Sequence, residues 1–217
     1  MTDDQVKEQG TQDAAKDAVE EALDIQASIR EITLKALSER KLDRQGIKAV
    51  IQAVTQGVLS GIDLKPDQAT ENFNKALQGM DEALAKSAQA AKLASEEAAA
   101  KISDFTQHDF KDTLDQLETL EELFFDTIET VAGQASDLLG GTARDLSSHL
   151  KNTGSSVGRE SQMALQALRD QFASISKESL STAVEAGKEV SNQITEIASG
   201  ILAGMSDAVS HKRSPES

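Results

Sequence analysis

The feature that most constrains this chain is a pattern in which apolar residues recur at alternating intervals of three and four positions. One series comprises Phe73, Leu77, Met80, Leu84, Ser87, Ala91, Ala94 and Ala98. A second comprises Phe110, Leu114, Leu117, Glu121, Phe124, Ile128, Val131, Ala135 and Leu138. This alternation places every member on one side of an α-helix, where it can pack against another helix. The spacing therefore predicts long helices joined along coiled-coil-like seams.

The composition favours the same fold class. Two prolines in 217 residues leave little that interrupts helices, and the scarcity of β-branched runs argues against a sheet. Six Phe, with no Trp and no Tyr, provide few large anchors for a thick core. We expect an all-α fold, an elongated antiparallel bundle of about five helices in which the third to fifth are long.

Turn residues divide the chain into these helices. Residues 1–10 look frayed, and Asp43 and Pro66 are suited to the starts of the second and third helices. Gly140-Gly141 predicts a stop or kink in the fourth. The predicted helices cover about 11–40, 44–62, 67–100, 107–150 and 157–209. The predicted organisation is an N-terminal hairpin over 1–64, a long-helix bundle over 65–210 and a disordered tail over 211–217.

The charge of the chain limits its partners and its location. A net charge of −15 opposes nucleic acid and anionic bilayers, since both are bound through Lys and Arg. The acidic start Met1–Gln5 does not resemble a secretory signal, and the longest uncharged stretch, Ala49–Ile62, falls short of the ~20 apolar residues of a membrane span. The absence of cysteine fits a reducing compartment. We expect a cytoplasmic protein with no transmembrane span.

Residues typical of catalytic or metal sites are sparse. The three histidines are His108, His149 and His211, and only Asp145 and His149, four residues apart, suggest a shared ligand pair. Two ligands do not make a metal site, and the sequence contains no HExxH motif, phosphate loop or nucleophile elbow. We interpret the chain as no enzyme and expect no metal and no cofactor.

Two apolar segments with glycines four residues apart resemble each other. Val54–Ile62 carries Gly57 and Gly61, and 197–205 carries Gly200 and Gly204. Such glycines form a groove on a helix that lets another backbone approach closely. With Val58 and Ile201, these residues are candidates for close packing inside the bundle, or for contact with a partner, a lipid or a polymer surface.

Acidic residues concentrate in one part of the chain. Residues 107–150 hold ten acidic side chains and two basic ones, which is −8 of the net −15. They form either a solvated helix face or a docking surface for a basic protein. The candidate docking residues are Asp112, Asp115, Glu118, Glu122, Asp126 and Glu129.

Glu121 occupies a position in the second seam that is otherwise apolar. A polar residue in a seam can define register or oligomeric state at a cost in stability, or it can reach water where the seam opens. We hypothesise that Glu121→Leu raises stability. The seams close within one chain or on a second copy, so a homo-oligomer is one outcome.

The alanine-rich stretch 83–100, together with 180–209, resembles the phasin group of bacterial proteins. The likeness extends over 67–209 and rests on long amphipathic helices and an acidic, cysteine-free composition. Phasins coat polyhydroxyalkanoate granules, so the resemblance implies a helical coat on a hydrophobic inclusion. The N-terminal unit, Ile32–Leu37 followed by Gly46–Ile51, is also similar to bacterial all-helical proteins from which no activity can be transferred.

The sequence thus leaves two functions open. The first is a non-catalytic amphipathic-helix protein that associates with a hydrophobic surface such as a polyester granule. The alternative is a cytoplasmic scaffold or adaptor that binds a protein partner through an acidic face.

Overall fold

The computed structural model describes residues 2–40, 42–62, 66–101, 107–135, 137–175 and 198–203, and every element in these ranges is an α-helix. The predicted all-α class is confirmed. The predicted number of helices is wrong, because the described ranges hold seven helices and a helical segment at 198–203. In chain order the seven are α1 (Asp3–Glu21), α2 (Ile25–Ser38), α3 (Arg44–Gly61), α4 (Pro66–Lys101), α5 (Gln107–Ala135), α6 (Asp137–Thr153) and α7 (Ser156–Ile175).

The N-terminus is helical, and the predicted fraying of residues 1–10 is wrong. The hydroxyl of Thr2 accepts a hydrogen bond from the backbone N–H of Gln5, and the Gln5 side chain accepts one from the N–H of Thr2 at 2.9 Å. This reciprocal capping box satisfies donors that would otherwise be unpaired in the first turn. The first turn also carries Asp3 and Asp4, whose charge suits a helix N-terminus.

The predicted first helix is two helices. α1 ends where Ala22 adopts an extended conformation, and α2 restarts at Asp24, whose carboxylate accepts from the N–H of Ala27 at 3.0 Å. The apolar pattern does not reveal this break. Ala18 and Ile25 are seven residues apart, so they remain in phase across it.

Two predicted boundaries are confirmed and one is wrong. Asp43 caps α3 by accepting from the N–H of Gly46 at 2.8 Å, and α4 begins at Pro66. The pair Gly140-Gly141, however, lies inside α6, which follows α5 almost immediately. A Cβ atom on Gly140 would lie 2.8 Å from the Cα of Gly133. Glycine is therefore used here for a close approach between α5 and α6, and not for a stop.

α5 and α6 form an antiparallel hairpin. Besides the contact of Gly140 with Gly133 near the turn, the ammonium of Lys151 lies 5.4 Å from the centre of the Phe125 ring. The predicted last helix is described only as α7 and as the 198–203 segment. Its continuity over 176–197, its end at 209 and the predicted tail 211–217 lie outside the described residues.

One cluster of buried side chains includes residues from all seven helices and from the 198–203 segment. Its largest fully buried members include Ile29, Ile51, Phe73, Phe124 and Leu202. Both predicted units, 1–64 and 65–210, contribute to it, and the division between them stays a prediction. None of the helices in the described ranges has the length and hydropathy needed to cross a bilayer.

Candidate functional site

α5 directs its apolar side into the core and its carboxylates outward. Leu117, Phe124 and Ile128 are at most 4% exposed. On the opposite side Asp115, Glu118, Glu122 and Asp126 are exposed and Glu129 is half-buried. We call these five residues the acidic face. Asp112 lies on the same helix, and its side chain is outside the described set.

The acidic face is one line of charge. Its members follow one another in steps of three or four, which keeps them on one side of the helix over about 21 Å. None of these carboxylates has a hydrogen bond or salt bridge with another side chain that the structure describes. The candidate acidic residues are therefore brought together, with Asp112 undetermined.

The aromatic side chains beside this face belong to the core. Phe124 and Phe125 are buried, with ring centres 5.0 Å apart, and Lys151 covers the Phe125 ring from α6. Such packing holds the α5 backbone in place beneath its carboxylates. Phe105 and the side chain of Phe110 lie outside the described residues.

Gly57 and Gly61 form the contact between α1 and α3. A Cβ atom on Gly57 would overlap the carbonyl oxygen of Gln12 and lie 2.8 Å from the Cβ of Ala15. A Cβ atom on Gly61 would lie 2.6 Å from the carbonyl oxygen of Lys16. Val58 is fully buried beside them. This glycine segment thus makes an internal contact with α1, and contact with a partner, a lipid or a polymer surface stays a prediction.

The second glycine segment behaves differently. Gly200 is exposed, and beyond its own helix no atom of the described residues lies within 4 Å of the position of a Cβ; Gly204 lies outside those residues. Ile201 is half-buried against the core, and its neighbours Ala198 and Leu202 are buried. The described apolar residues Ala198, Ile201 and Leu202 thus pack in or against the core, and Gly200 does not share the close contact of Gly57 and Gly61.

Next to the glycine contact, α1 and α3 leave an open polar groove. It holds about 380 Å³, and its lining residues are Gln5, Glu8, Gln9, Gln12, Ala49, Gln52, Ala53 and Gln56. Between α3, α4 and α5 lies an apolar void of about 30 Å³, bounded by Leu42, Ala88 and Leu117. That volume is comparable to one water molecule.

The start of α7 is a polar junction that the sequence patterns did not reveal. The carboxylate of Asp81 on α4 accepts from the backbone N–H groups of Ser156 and Val157 at 2.8 and 2.9 Å. Ser155 accepts from the N–H of Gly158 at 2.8 Å, and its hydroxyl donates to Glu121 on α5. The Asp81 carboxylate and the Ser155 hydroxyl thus accept from backbone N–H groups in the first turn of α7, and Glu121 holds that hydroxyl from α5.

Two glycines lie beside this junction. A Cβ on Gly158 would lie 2.7 Å from the carboxyl carbon of Glu121, and Gly154 ends α6 with a φ of +90°. The seam position of Glu121 was a detectable signal, but it was assigned to register or to water. Ser155 falls between the predicted helices 107–150 and 157–209, so the helix pattern gave no indication of its capping role.

The histidine pair gives no metal centre in the described residues. His149 and Asp145 are both exposed on α6, and no group of three or more potential metal ligands occurs in the described ranges. The side chain of His108 and all of His211 lie outside those ranges. We assign no cofactor pocket to Asp145 or to His149.

Comparison with curated proteins and comparison with solved structures give no match. A family model does match, and its range extends across both predicted units of the chain. Since this model, described as a family of unknown function (DUF6781), matches residues 1–211, the chain belongs to that family.

Proposed function

We propose that the protein is a non-catalytic adaptor that binds a basic protein partner through the acidic face of α5. The observation that carries this proposal is the row Asp115, Glu118, Glu122 and Asp126, exposed and without a described counter-charge. A partner that presents Lys or Arg with the spacing of one helical turn would match this row.

The carboxylates in this row repel one another, which destabilises α5. Glu118, Glu122 and Asp126 are spaced i, i+4, and like charges at that spacing destabilise a helix by about 0.2–0.5 kcal/mol per pair. A basic partner would relieve this repulsion. The clustered charge would also accelerate encounter, because association is steered by the local field.

The described surface favours a charged contact over an apolar one. Its exposed large hydrophobic residues are Val6 in α1, Leu23 between α1 and α2, Leu93 in α4 and Met163 in α7. Scattered single residues of this kind are ordinary on a protein surface. The acidic face, by contrast, is continuous.

The test is titration of the protein with a synthetic helical peptide that carries lysines at i, i+4, i+7 and i+11. A triple variant, Glu118→Gln, Glu122→Gln and Asp126→Asn, should bind it about tenfold more weakly, since each exposed ion pair contributes about 0.2–1 kcal/mol. Raising salt from about 0.05 to about 0.5 M should weaken the wild-type complex, because screening shortens the range of the charge.

The matched control removes the same charge elsewhere. Asp17→Asn, Glu21→Gln and Glu39→Gln are exposed positions outside α5, and both triple variants change the net charge from −15 to −12. Equal loss of binding by both variants would mean that net charge acts and not the acidic face. Binding that is indifferent to salt would also exclude the proposed contact.

A second function, a phasin-like coat on a hydrophobic inclusion, is favoured by the alanine content of the α4 interfaces. Ala76, Ala83, Ala88, Ala90 and Ala94 are all buried, and each alanine loses little apolar contact when helices separate. This function requires the bundle to open, because its seams face inward. If the purified protein stays in the aqueous fraction when mixed with polyester granules and floated, the coat function is excluded.

A further inference from the structure

We propose that α7 is a hinged cover, held closed over α4 and α5 by a latch at its first turn. The latch consists of Asp81, Glu121 and Ser155. Its release would let α7 leave the bundle as a unit and expose the apolar sides of α4 and α5. This inference does not rest on the acidic face, because Glu121 turns toward α7 whereas Glu122 points outward.

The latch joins three elements at one point. Asp81 bonds two successive backbone N–H groups of α7, while Glu121 reaches the hydroxyl of Ser155 from α5. That hydroxyl in turn accepts the N–H of Gly158. The first turn of α7 therefore depends on side chains from both helices that α7 covers.

Burial makes the latch sensitive to change. Asp81 is 6% exposed and Ser155 is 1% exposed. A buried carboxylate that loses its donors retains its full desolvation penalty, so the latch favours the closed state only while its bonds are complete. Loss of a bond here costs more than loss of an equivalent bond on the surface.

Beyond the latch, α7 places Ala164, Leu165 and Leu168 in the core, where they are at most 8% exposed, so an opened α7 would expose apolar surface. One turn and two turns after Asp81, α4 presents Ala85 and then Gln89, which donates to Glu160 of α7 at 2.8 Å. On α7, Ser161 is 3% exposed, and its hydroxyl has no hydrogen-bond partner in the described part of the chain. Closure therefore rests on this apolar packing together with the latch, because an unpaired hydroxyl contributes little.

A hinge lies next to the latch. Gly154 separates α6 from α7, is exposed and has a φ of +90°. Because glycine reaches many backbone conformations, α7 can rotate there without dragging α6. α6 is anchored separately, through Leu139 and Ala143 in the core and Lys151 on Phe125.

The experiment is hydrogen exchange with mass spectrometry on the full chain carrying Asp81→Asn. The asparagine side chain has nearly the same shape as aspartate. Its NH₂ group would face one of the two backbone N–H groups and cannot accept from it, so one hydrogen bond is lost. Exchange over 156–168 should rise at least about tenfold while exchange over α2 and α3 stays unchanged. Binding of the dye ANS should rise with it, since opening exposes apolar surface.

Asp17→Asn is the matched control, because it makes the same substitution on an exposed residue of α1 and should change neither readout. A second test uses the absence of cysteine: Gln89→Cys and Glu160→Cys, joined by a short bismaleimide, would tether α7 to α4. In the Asp81→Asn background this tether should return both readouts to wild-type values.

Three results would overturn the proposal. Unchanged exchange in Asp81→Asn would mean that the latch does not hold α7. Equal rises over α2, α3 and α7 would indicate global unfolding. A local rise that persists in the tethered protein would show fraying in place and not the opening of a cover.

Discussion

At Gly57, a single missing side chain determines how closely α1 can approach α3. A Cβ atom there would overlap the carbonyl oxygen of Gln12, which is backbone and cannot turn aside. We predict that Gly57→Ala lowers the free energy of unfolding by about 1–3 kcal/mol, despite the higher helix propensity of alanine. Denaturant unfolding followed by circular dichroism measures this change.

Gly10→Ala is the matched control, since Gly10 lies in α1 and, beyond that helix, no atom in the described part of the chain lies within 4 Å of its Cβ position. It should raise stability by about 0.5–1 kcal/mol through helix propensity alone. Opposite signs for the two substitutions support the close contact. A gain in stability for Gly57→Ala would show that α1 does not pack there.

At Glu121, the structure reverses the expectation drawn from the seam. We now predict that Glu121→Leu lowers the free energy of unfolding by about 1–3 kcal/mol, because the buried Ser155 hydroxyl would lose its acceptor. Glu121→Gln keeps an acceptor and should cost less. The neighbouring exposed change Glu122→Gln should stay within about 0.5 kcal/mol, and a thermal midpoint raised by leucine would contradict this account.

Single residues were predictable where chemistry is local. Asp43 and Pro66 are recognised by their own position relative to an apolar run, and the structure places both at helix starts. Asp81 was not predictable, because its partners are backbone N–H groups far along the chain. Gly57 is intermediate: its spacing indicated a close contact, but nothing in that spacing identifies α1 as the neighbour.

At the scale of the helices, the break between α1 and α2 depends on a cap. We predict that Asp24→Ala costs about 1 kcal/mol, because the N–H of Ala27 loses its acceptor at the start of α2. Asp17→Ala changes an exposed aspartate within α1 and should have little effect. Thermal unfolding of both variants measures the difference, and equal midpoints would argue that the break does not depend on the cap.

The helices show what periodicity can and cannot predict. The bounds of α4 were predicted nearly in full, because its apolar series continues from Phe73 to Ala98 in steps of three and four. The α1–α2 break was missed because seven residues separate Ala18 from Ile25, and a step of seven preserves the pattern. Gly140-Gly141 was misinterpreted as a stop, since glycine also permits the close contact with Gly133 within a helix pair.

At the scale of the whole molecule, one hydrophobic cluster joins both predicted units. We predict a single cooperative unfolding transition to which both units contribute. Ile29→Ala in α2 should destabilise by about 2–5 kcal/mol and Phe124→Ala in α5 by about 3–5 kcal/mol, since both side chains are fully buried. Hydrogen exchange in moderate denaturant reports each unit separately.

Each substitution should lower the protection of backbone amides from hydrogen exchange in both units together. Two separate transitions, each moved by only one of the substitutions, would instead support the predicted division at 64/65. Association with a second copy also stays a prediction, and light scattering on the wild-type chain measures it.

The central claim is that the acidic face of α5 contacts a protein partner. The most direct measurement places a photo-crosslinking amino acid at Glu122, or at the exposed Asp17 of α1 as control, in the cell that makes this protein. The account predicts a heavier adduct from position 122 but not from position 17, with the crosslinked peptide rich in Lys and Arg. No adduct from position 122, or the same adducts from both positions, would contradict it.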